Sequence, residues 1–194
     1  MNNYENKTLS VNKKYIKKAR FEFLERVWFQ LIPTAQGRVK WLRKHKKFAL
    51  LGNHVHFQPR KYPTDAQRVK IHDNVAIAAD VEFTAHDIIH WVFDGMAGKR
   101  EYSEYRGCIE VHENVFIGAG TRVLGDVSIG PNAIIAANSL VNRDVPAGEV
   151  WGGVPARRIG SFEELRAKRQ QYSADHQSWT AEMYWEEFNG KHLN

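Results

Sequence analysis

The feature that most constrains this chain is a run of β-branched residues spaced six apart. Taking every sixth residue from Val111 gives Ile117, Val123, Ile129, Ile135 and Val141, and every one is isoleucine or valine. Those two types fill 28 of the 194 positions, so one fixed frame would do this by chance about once in 10^5 trials, a strong sign of internal repetition. The residues two before them (Ile109, Val115, Thr121, Val127, Ala133 and Ser139) are apolar or small. The same register appears upstream at Ile71, Ile77 and Phe83, preceded by Val69, Val75 and Val81, with a fainter echo at Leu51 and Phe57. A period of six is neither that of a helix nor the simple alternation of a strand. It fits short strands joined by tight corners, three units closing a triangular coil.

A second register tests the first. Three residues after each inward position stand Asn74, Asp80, His86, Asn114, Gly120, Asp126, Asn132, Asn138 and Asp144. All but His86 are Asn, Asp or Gly, the types that accept the left-handed backbone of a sharp corner. His86 is the odd member. It also sits where the register breaks, because the step from Phe83 to Val111 is not a multiple of six. Residues 88–108 must therefore leave the coil. A loop of that length in a compact fold is usually functional or disordered, and its aromatics Trp91, Phe93, Tyr102 and Tyr105 favour an ordered, functional one.

Outside the coil, residues 11–32 read as a helix with Tyr15, Ile16, Ala19, Phe23, Val27 and Leu31 near helical spacing, stopped by Pro33. A short second helix is expected over Thr34–His45. Ser161 with Glu164 forms a capping box that starts a helix running to about Tyr172, and another follows Thr180. The expected organisation is a helical segment (1–48), a coil (49–160) with the loop 88–108 extruded from it, and a helical tail (161–194).

Composition narrows the class. Net charge is +6 with basic clusters at Lys13, Lys14, Lys17, Lys18, Arg20 and again over 38–47; these read as solvated helix faces or as attraction to an anionic ligand or membrane surface. No run approaches the ~20 apolar residues of a membrane span, the start lacks a signal-type apolar stretch, and one cysteine, Cys108, excludes an internal disulfide framework. The expectation is a cytoplasmic protein, or one peripheral to the inner face of the membrane. Cys108 reads as a small buried residue, and His72 and His112, following inward residues, should point outward.

Residues 115–160, and above all Asp144-Val145-Pro146 and Gly152-Gly153-Val154-Pro155-Ala156-Arg157, resemble the coil end of the hexapeptide-repeat acetyltransferases, the sugar and surface-polysaccharide O-acetyltransferases among them. The resemblance covers roughly residues 50–165. It implies an all-β core, a left-handed parallel β-helix of hexapeptide repeats with N-terminal helices, an extruded loop and C-terminal helices. It implies a homotrimer with acetyl-CoA in the groove between neighbouring coils, near Phe116, Gly118, Ala119, Ala136 and Ala137, with Asn142, Arg143, Pro155 and Arg157 at the phosphates or adenine. The stretch Thr84-Ala85-His86-Asp87 resembles the family's catalytic segment, which makes His86 the general base. Asp87 and Asp94 are the candidates to orient its ring, and His90 is the rival base.

The implied acceptor is a sugar or surface-glycan hydroxyl, lipid-linked acceptors included, with no nucleic acid and no metal required. An amino-sugar N-acetyltransferase, a xenobiotic acetyltransferase and a non-enzymatic scaffold coil are the alternatives. A serine acetyltransferase is weakened by Arg106-Gly107-Cys108 where that family carries a His-Pro pair. A zinc hydratase like the γ-class carbonic anhydrases is excluded by Ala119 and Leu124, which stand where its ligands would be and cannot bind metal.

Overall fold

The computed structural model describes residues 2–192, with side chains from residue 16 onward; Tyr15, Lys13 and Lys14, named above for their side chains, lie outside those described. In chain order the elements are α1 (Asn2–Leu31), α2 (Ala35–Lys44), a first partial rung of β1 (Leu50–Leu51) and β2 (His56–Phe57), a second rung of β3 (Val69–Ile71), β4 (Val75–Ile77) and β5 (Glu82–Thr84), the excursion with α3 (Ile89–Ala97), a third rung of β6 (Ile109–Val111), β7 (Val115–Ile117) and β8 (Arg122–Leu124), a fourth of β9 (Val127–Ile129), β10 (Ile134–Ile135) and β11 (Leu140–Val141), then β12 (Glu149–Gly152), β13 (Arg157–Ser161), α4 (Phe162–Asp175) and α5 (Ala181–His192).

The strands stack into three faces, β1-β3-β6-β9, β13-β12-β10-β7-β4-β2 and β11-β8-β5. All pairings within the coil are parallel. Residue pairing states the repeat in space: Val111 lies beside Ile129, three hexads further along the chain. Ile71 lies beside Val111, a step more than twice as long, so the whole excursion is extruded between those two rungs. Leu51 pairs with Ile71 and Phe57 with Ile77, steps slightly longer than three hexads. The surplus of the first turn falls between Phe57 and Val69, where a 3-10 turn (Ala66–Arg68) forms.

The inward residues make the core. Ile71, Ile77, Val111, Ile117, Val123, Ile129, Ile135 and Val141 are fully buried, each worth roughly 1.5–3 kcal/mol of burial. Seven of the nine expected corner residues adopt left-handed backbone, Asn74, Asp80, Asn114, Gly120, Asp126, Asn132 and Asn138, with φ from 53° to 71°. His54, three after Leu51, does the same at φ 51°, so the faint upstream echo is a real first turn. His86 and Asp144 do not. The expectation of His86 as a corner is corrected: its backbone makes an antiparallel bridge to Arg106, because there the chain is leaving the coil rather than turning within it.

The coil is finished by a reversal. β13 runs antiparallel to β12, which covers the last parallel edge. Ser161 then caps α4, accepting from the Glu164 amide at 3.5 Å. At the other end α2 spans Ala35–Lys44 and is capped by the Thr34 hydroxyl; it buries Val39 and Leu42 against the first rung, and Arg38 donates to the carbonyls of Phe57 and Ile32. α1 starts earlier than expected and its expected inner face is wrong. Ile16, Phe23 and Leu31 are 57%, 65% and 68% exposed. Among its described side chains only Phe29, near the helix end, is fully buried, edge-on to Tyr62 at 5.0 Å. Among the described residues, no helix is long and apolar enough to cross a membrane.

Candidate active site

The excursion is tied at its neck. Gly107 donates to the Ala85 carbonyl at 2.7 Å and Asp87 to the Tyr105 carbonyl at 3.3 Å. Asp126, a corner residue one rung on, accepts from the Cys108 amide at 3.0 Å and the Tyr105 hydroxyl at 2.7 Å. The Tyr105 hydroxyl first and the Cys108 amide second hold the Asp126 carboxyl below the usual carboxylate range. Gly107 must lack a side chain, since a Cβ there would stand 2.6 Å from the Asp126 nitrogen. Cys108 itself is exposed, against the expectation that it is buried: it points out from the neck while its neighbour Ile109 points in.

His86 stands at this neck. Its Nδ1 lies 2.8 Å from Asp65 Oδ2, with the two side chains 33% and 21% exposed. That carboxylate oxygen is buried and makes no well-aligned hydrogen bond, so the imidazole is its one close counter-group among the described residues. A buried carboxylate oxygen left alone is costly. The Nδ1 side of the ring thus faces the carboxylate, and Nε2 is the nitrogen turned away from it. The pair opens onto a groove of about 540 Å³ lined by Arg26, Arg60, Tyr62, Asp65, Glu82 and Arg122, among others. Arg26 lies over the Tyr62 ring at 4.7 Å and donates to the Tyr62 carbonyl; Arg122 is paired with Glu82.

The two carboxylates named from the sequence are employed elsewhere. Asp87 Oδ1 accepts from the Ile89 amide at 3.0 Å, at the start of α3. Asp94 accepts from the amides of Glu101 and Tyr102 at 2.8 and 2.9 Å, and those bonds depress its pKa. Both shape the loop, and neither is the carboxylate against His86. His90 lies in a separate hollow of about 560 Å³ with Trp91, Asp94, Tyr102 and Glu104. Asp65 escaped the periodic reading because it belongs to no hexad. Its signal was the spacing between Leu51 and Ile71, which overshoots three hexads.

The residues expected to hold acetyl-CoA gather at the far end of the coil. Ala119, Ala137, Asn142, Arg143, Pro155 and Arg157 are exposed, and Ala136 is half-buried. Gly118 is buried; a Cβ on it would lie 2.4 Å from the Ala137 nitrogen, so rung stacking alone requires glycine there. Ala119 and Ala137, on successive rungs, present a small-residue ledge that a thin chain could lie along, with the Arg143 and Arg157 guanidinium groups available for phosphates. Phe116 is 40% exposed and floors a hollow with Ile134, Phe162, Leu165, Arg166 and Arg169. None of these residues lines the His86 groove.

Residues 109–143 match the family model of the bacterial transferase hexapeptide (six repeats). That stretch carries the hexapeptide repeat, and the chain is similar to acetyltransferases built on it. It is 29% identical over 136 residues to the galactoside O-acetyltransferase of Escherichia coli (strain K12), covering 66% of this chain and 64% of that one. It is 40% identical over 76 residues to UDP-3-O-acylglucosamine N-acyltransferase 2 of Rhodopseudomonas palustris (strain BisB18), 39% of this chain and 20% of that one. The alignments thus span less than two thirds of these relatives' own lengths. Among solved structures, a maltose O-acetyltransferase from Clostridium difficile 630 superposes with a TM-score of 0.54 at 22% identity, covering 75% of this chain and 87% of that one. A galactoside acetyltransferase in complex with coenzyme A gives the same TM-score at 20% identity, covering 74% and 80%. These likenesses give the fold, and imply that the coil is a left-handed β-helix.

Proposed function

We propose that this hexapeptide-repeat protein is an acetyl-CoA-dependent O-acetyltransferase that modifies a hydroxyl of a sugar or surface glycan, with His86 as general base and Asp65 as the group that orients it. The observation that carries the reading is the His86–Asp65 pair at the mouth of a groove. A sugar hydroxyl is a weak nucleophile, and a positioned imidazole typically supplies 10²–10⁴-fold by taking its proton. Nδ1 faces the carboxylate, so Nε2 receives that proton as the hydroxyl oxygen attacks the thioester carbon. The C–S bond breaks, the ester forms, and His86 returns the proton to the departing thiolate. Asp65 orients the ring from its Nδ1 side and offsets the imidazolium charge, as the carboxylate does in other base–carboxylate pairs.

Binding of acetyl-CoA is assigned to the ledge of Ala119, Ala136 and Ala137, with Asn142, Arg143, Pro155 and Arg157 around it and Phe116 beside it. Because that ledge and the His86 groove share no lining residue within one chain, the working unit is taken to be a homotrimer whose sites form between neighbouring coils. The named relatives include enzymes of O- and N-acyl transfer, so the acceptor screen should carry an amine arm beside sugars, nucleotide sugars and glycan repeat units. A location in the cytoplasm, or at the inner face of the membrane, suits a donor of this kind.

The test is coenzyme A release with a competent acceptor. His86→Ala should lower turnover roughly 10²–10⁴-fold with circular dichroism and oligomeric mass unchanged. Asp65→Asn should lower kcat strongly with little change in KM for acetyl-CoA, whereas Asp87→Asn should leave kcat near wild type. Undiminished turnover in His86→Ala would sink the reading; equal losses in Asp65→Asn and Asp87→Asn would remove Asp65 from its role.

A further inference from the structure

We propose that His72, Glu110 and His112 form a binding site for a divalent transition-metal ion, zinc above all, that bridges the two rungs flanking the excursion; it stands apart from the acyl-transfer reading. The residues immediately after β1, β3, β6 and β9 occupy one corner on four successive rungs, and they are Gly52, His72, His112 and Gly130. At the two ends side chains do not fit. A Cβ on Gly52 would stand 2.5 Å from the His72 carbonyl carbon, and one on Gly130 2.7 Å from the Ala147 nitrogen. At the two middle rungs side chains fit, and both are imidazoles. Parallel strands hold neighbouring rungs about 4.8 Å apart, and the two rings accordingly stack at 5.1 Å with an interplanar angle of 16°.

Glu110, projecting outward from β6, supplies the third group. Its Oε1 lies 2.8 Å from His72 Nε2, and one ligand atom from each of the three residues falls within 4.8 Å of the others. Two imidazoles and a carboxylate make a donor set that first-row divalent ions, zinc among them, bind well, with a coordination position left for water. Ser128 Oγ, 3.2 Å from His112 Nε2, steadies the second ring. Among the described residues the competing cation is Lys70, whose ammonium lies 3.5 Å from the same Glu110 oxygen. It is half exposed and can swing to solvent, so an ion displaces it at small cost.

The consequence is mechanical. β3 and β6 are neighbours in space although the excursion separates them in sequence. An ion held by His72 on one rung and by Glu110 and His112 on the other clasps the coil across the base of the excursion.

The experiment uses the full chain, stripped with a chelator and titrated with Zn²⁺ by calorimetry, with thermal melting alongside and Co²⁺ absorption as the coordination readout. The expected result is about one ion per chain, a raised melting temperature and a visible Co²⁺ spectrum. His72→Gln and His112→Gln, which keep size and polarity, should each abolish all three, and Glu110→Gln should weaken binding at least tenfold. His54→Gln and His45→Gln, at exposed histidines outside the cluster, should change none of them. Absence of stoichiometric binding in a folded wild-type chain overturns the proposal. So does an ion that survives in either His72→Gln or His112→Gln, or undiminished affinity in Glu110→Gln.

Discussion

At the scale of single residues, the corners show how little chemistry is needed to fix a coil. Asn74 donates to Asn114, and Asn114 to Asn132, through side-chain amides at 2.8 and 2.9 Å, so the three form a ladder up one edge. Each also holds a positive φ. Two effects therefore meet in Asn114, tolerance of left-handed backbone and two exposed hydrogen bonds. They can be separated. Asn114→Gly keeps the backbone and loses the ladder, which should cost about 1 kcal/mol. Asn114→Ala loses the ladder and adds left-handed strain of roughly another 1–2 kcal/mol. Urea denaturation should rank the chains wild type, then Asn114→Gly, then Asn114→Ala; equal midpoints for the two variants would mean that backbone conformation is not what asparagine supplies there. The corner pattern was readable because it is local: three residues after an inward Ile or Val, the backbone must turn. His86 broke that pattern for the same local reason, since its backbone does not turn. Its partner Asp65 was not readable. It lies well upstream on an unperiodic stretch, and only the stacking of one rung on the next brings the two together.

At the scale of elements, the excursion shows the same division. Its existence and limits follow from a broken register, and its aromatics marked it as ordered, but the carboxylates within it lie against backbone amides rather than against His86. Asp87 and Asp94 are close to His86 in sequence, and proximity in sequence says little where a chain doubles back on itself. Asp94 instead accepts from two amides of the returning loop, and those amides, before any other influence, lower its pKa. A carboxylate whose folded pKa is depressed lends stability that is complete above its unfolded pKa of about 3.9 and is lost as pH falls through the folded value. The latch should therefore be closed at pH 5 and above, and should open only in acid, below about pH 4. Amide hydrogen exchange at Glu101 and Tyr102 measures it directly. Protection at these two amides, corrected for intrinsic rates, should be constant from pH 5 to 7. Asp94→Ala should abolish it throughout that range while leaving the coil amides of Ile117 and Ile135 protected. Persistence of protection in Asp94→Ala would assign the loop's order to its aromatic contacts, Phe93 against Tyr102 at 5.2 Å, rather than to the carboxylate.

At the scale of the whole molecule, the proposed base and the proposed donor ledge lie apart on one chain. The His86 groove lies at the second rung and the small-residue ledge at the third and fourth, with no lining residue in common. The chain also carries much apolar surface facing outward: Phe21, Phe23, Leu24, Trp28 and Leu31 on α1, and Trp91, Val92 and Met96 on α3, all more than 55% exposed. Patches of that kind on a single chain ordinarily mark contact with something else. A closed cyclic assembly answers both facts, because a heterologous interface sets the groove of one copy against the ledge of the next and satisfies every copy alike. Light scattering should then give three times the 22.4 kDa chain mass. Mass alone does not show that the sites are shared, but complementation does. His86→Ala spoils the groove, and Ala137→Trp blocks the ledge; each homotrimer should be inactive. Co-expressed in equal amounts, the two should assort at random. A site built from two neighbours is then whole wherever an Ala137→Trp copy lends its groove to a His86→Ala copy's ledge, which is about a quarter of sites in a closed ring. Recovery of about that fraction of wild-type turnover places each reaction between two chains. If the mixed assemblies form and stay inactive, groove and ledge must meet within one chain, and the assignment of the donor to the ledge falls with the shared site.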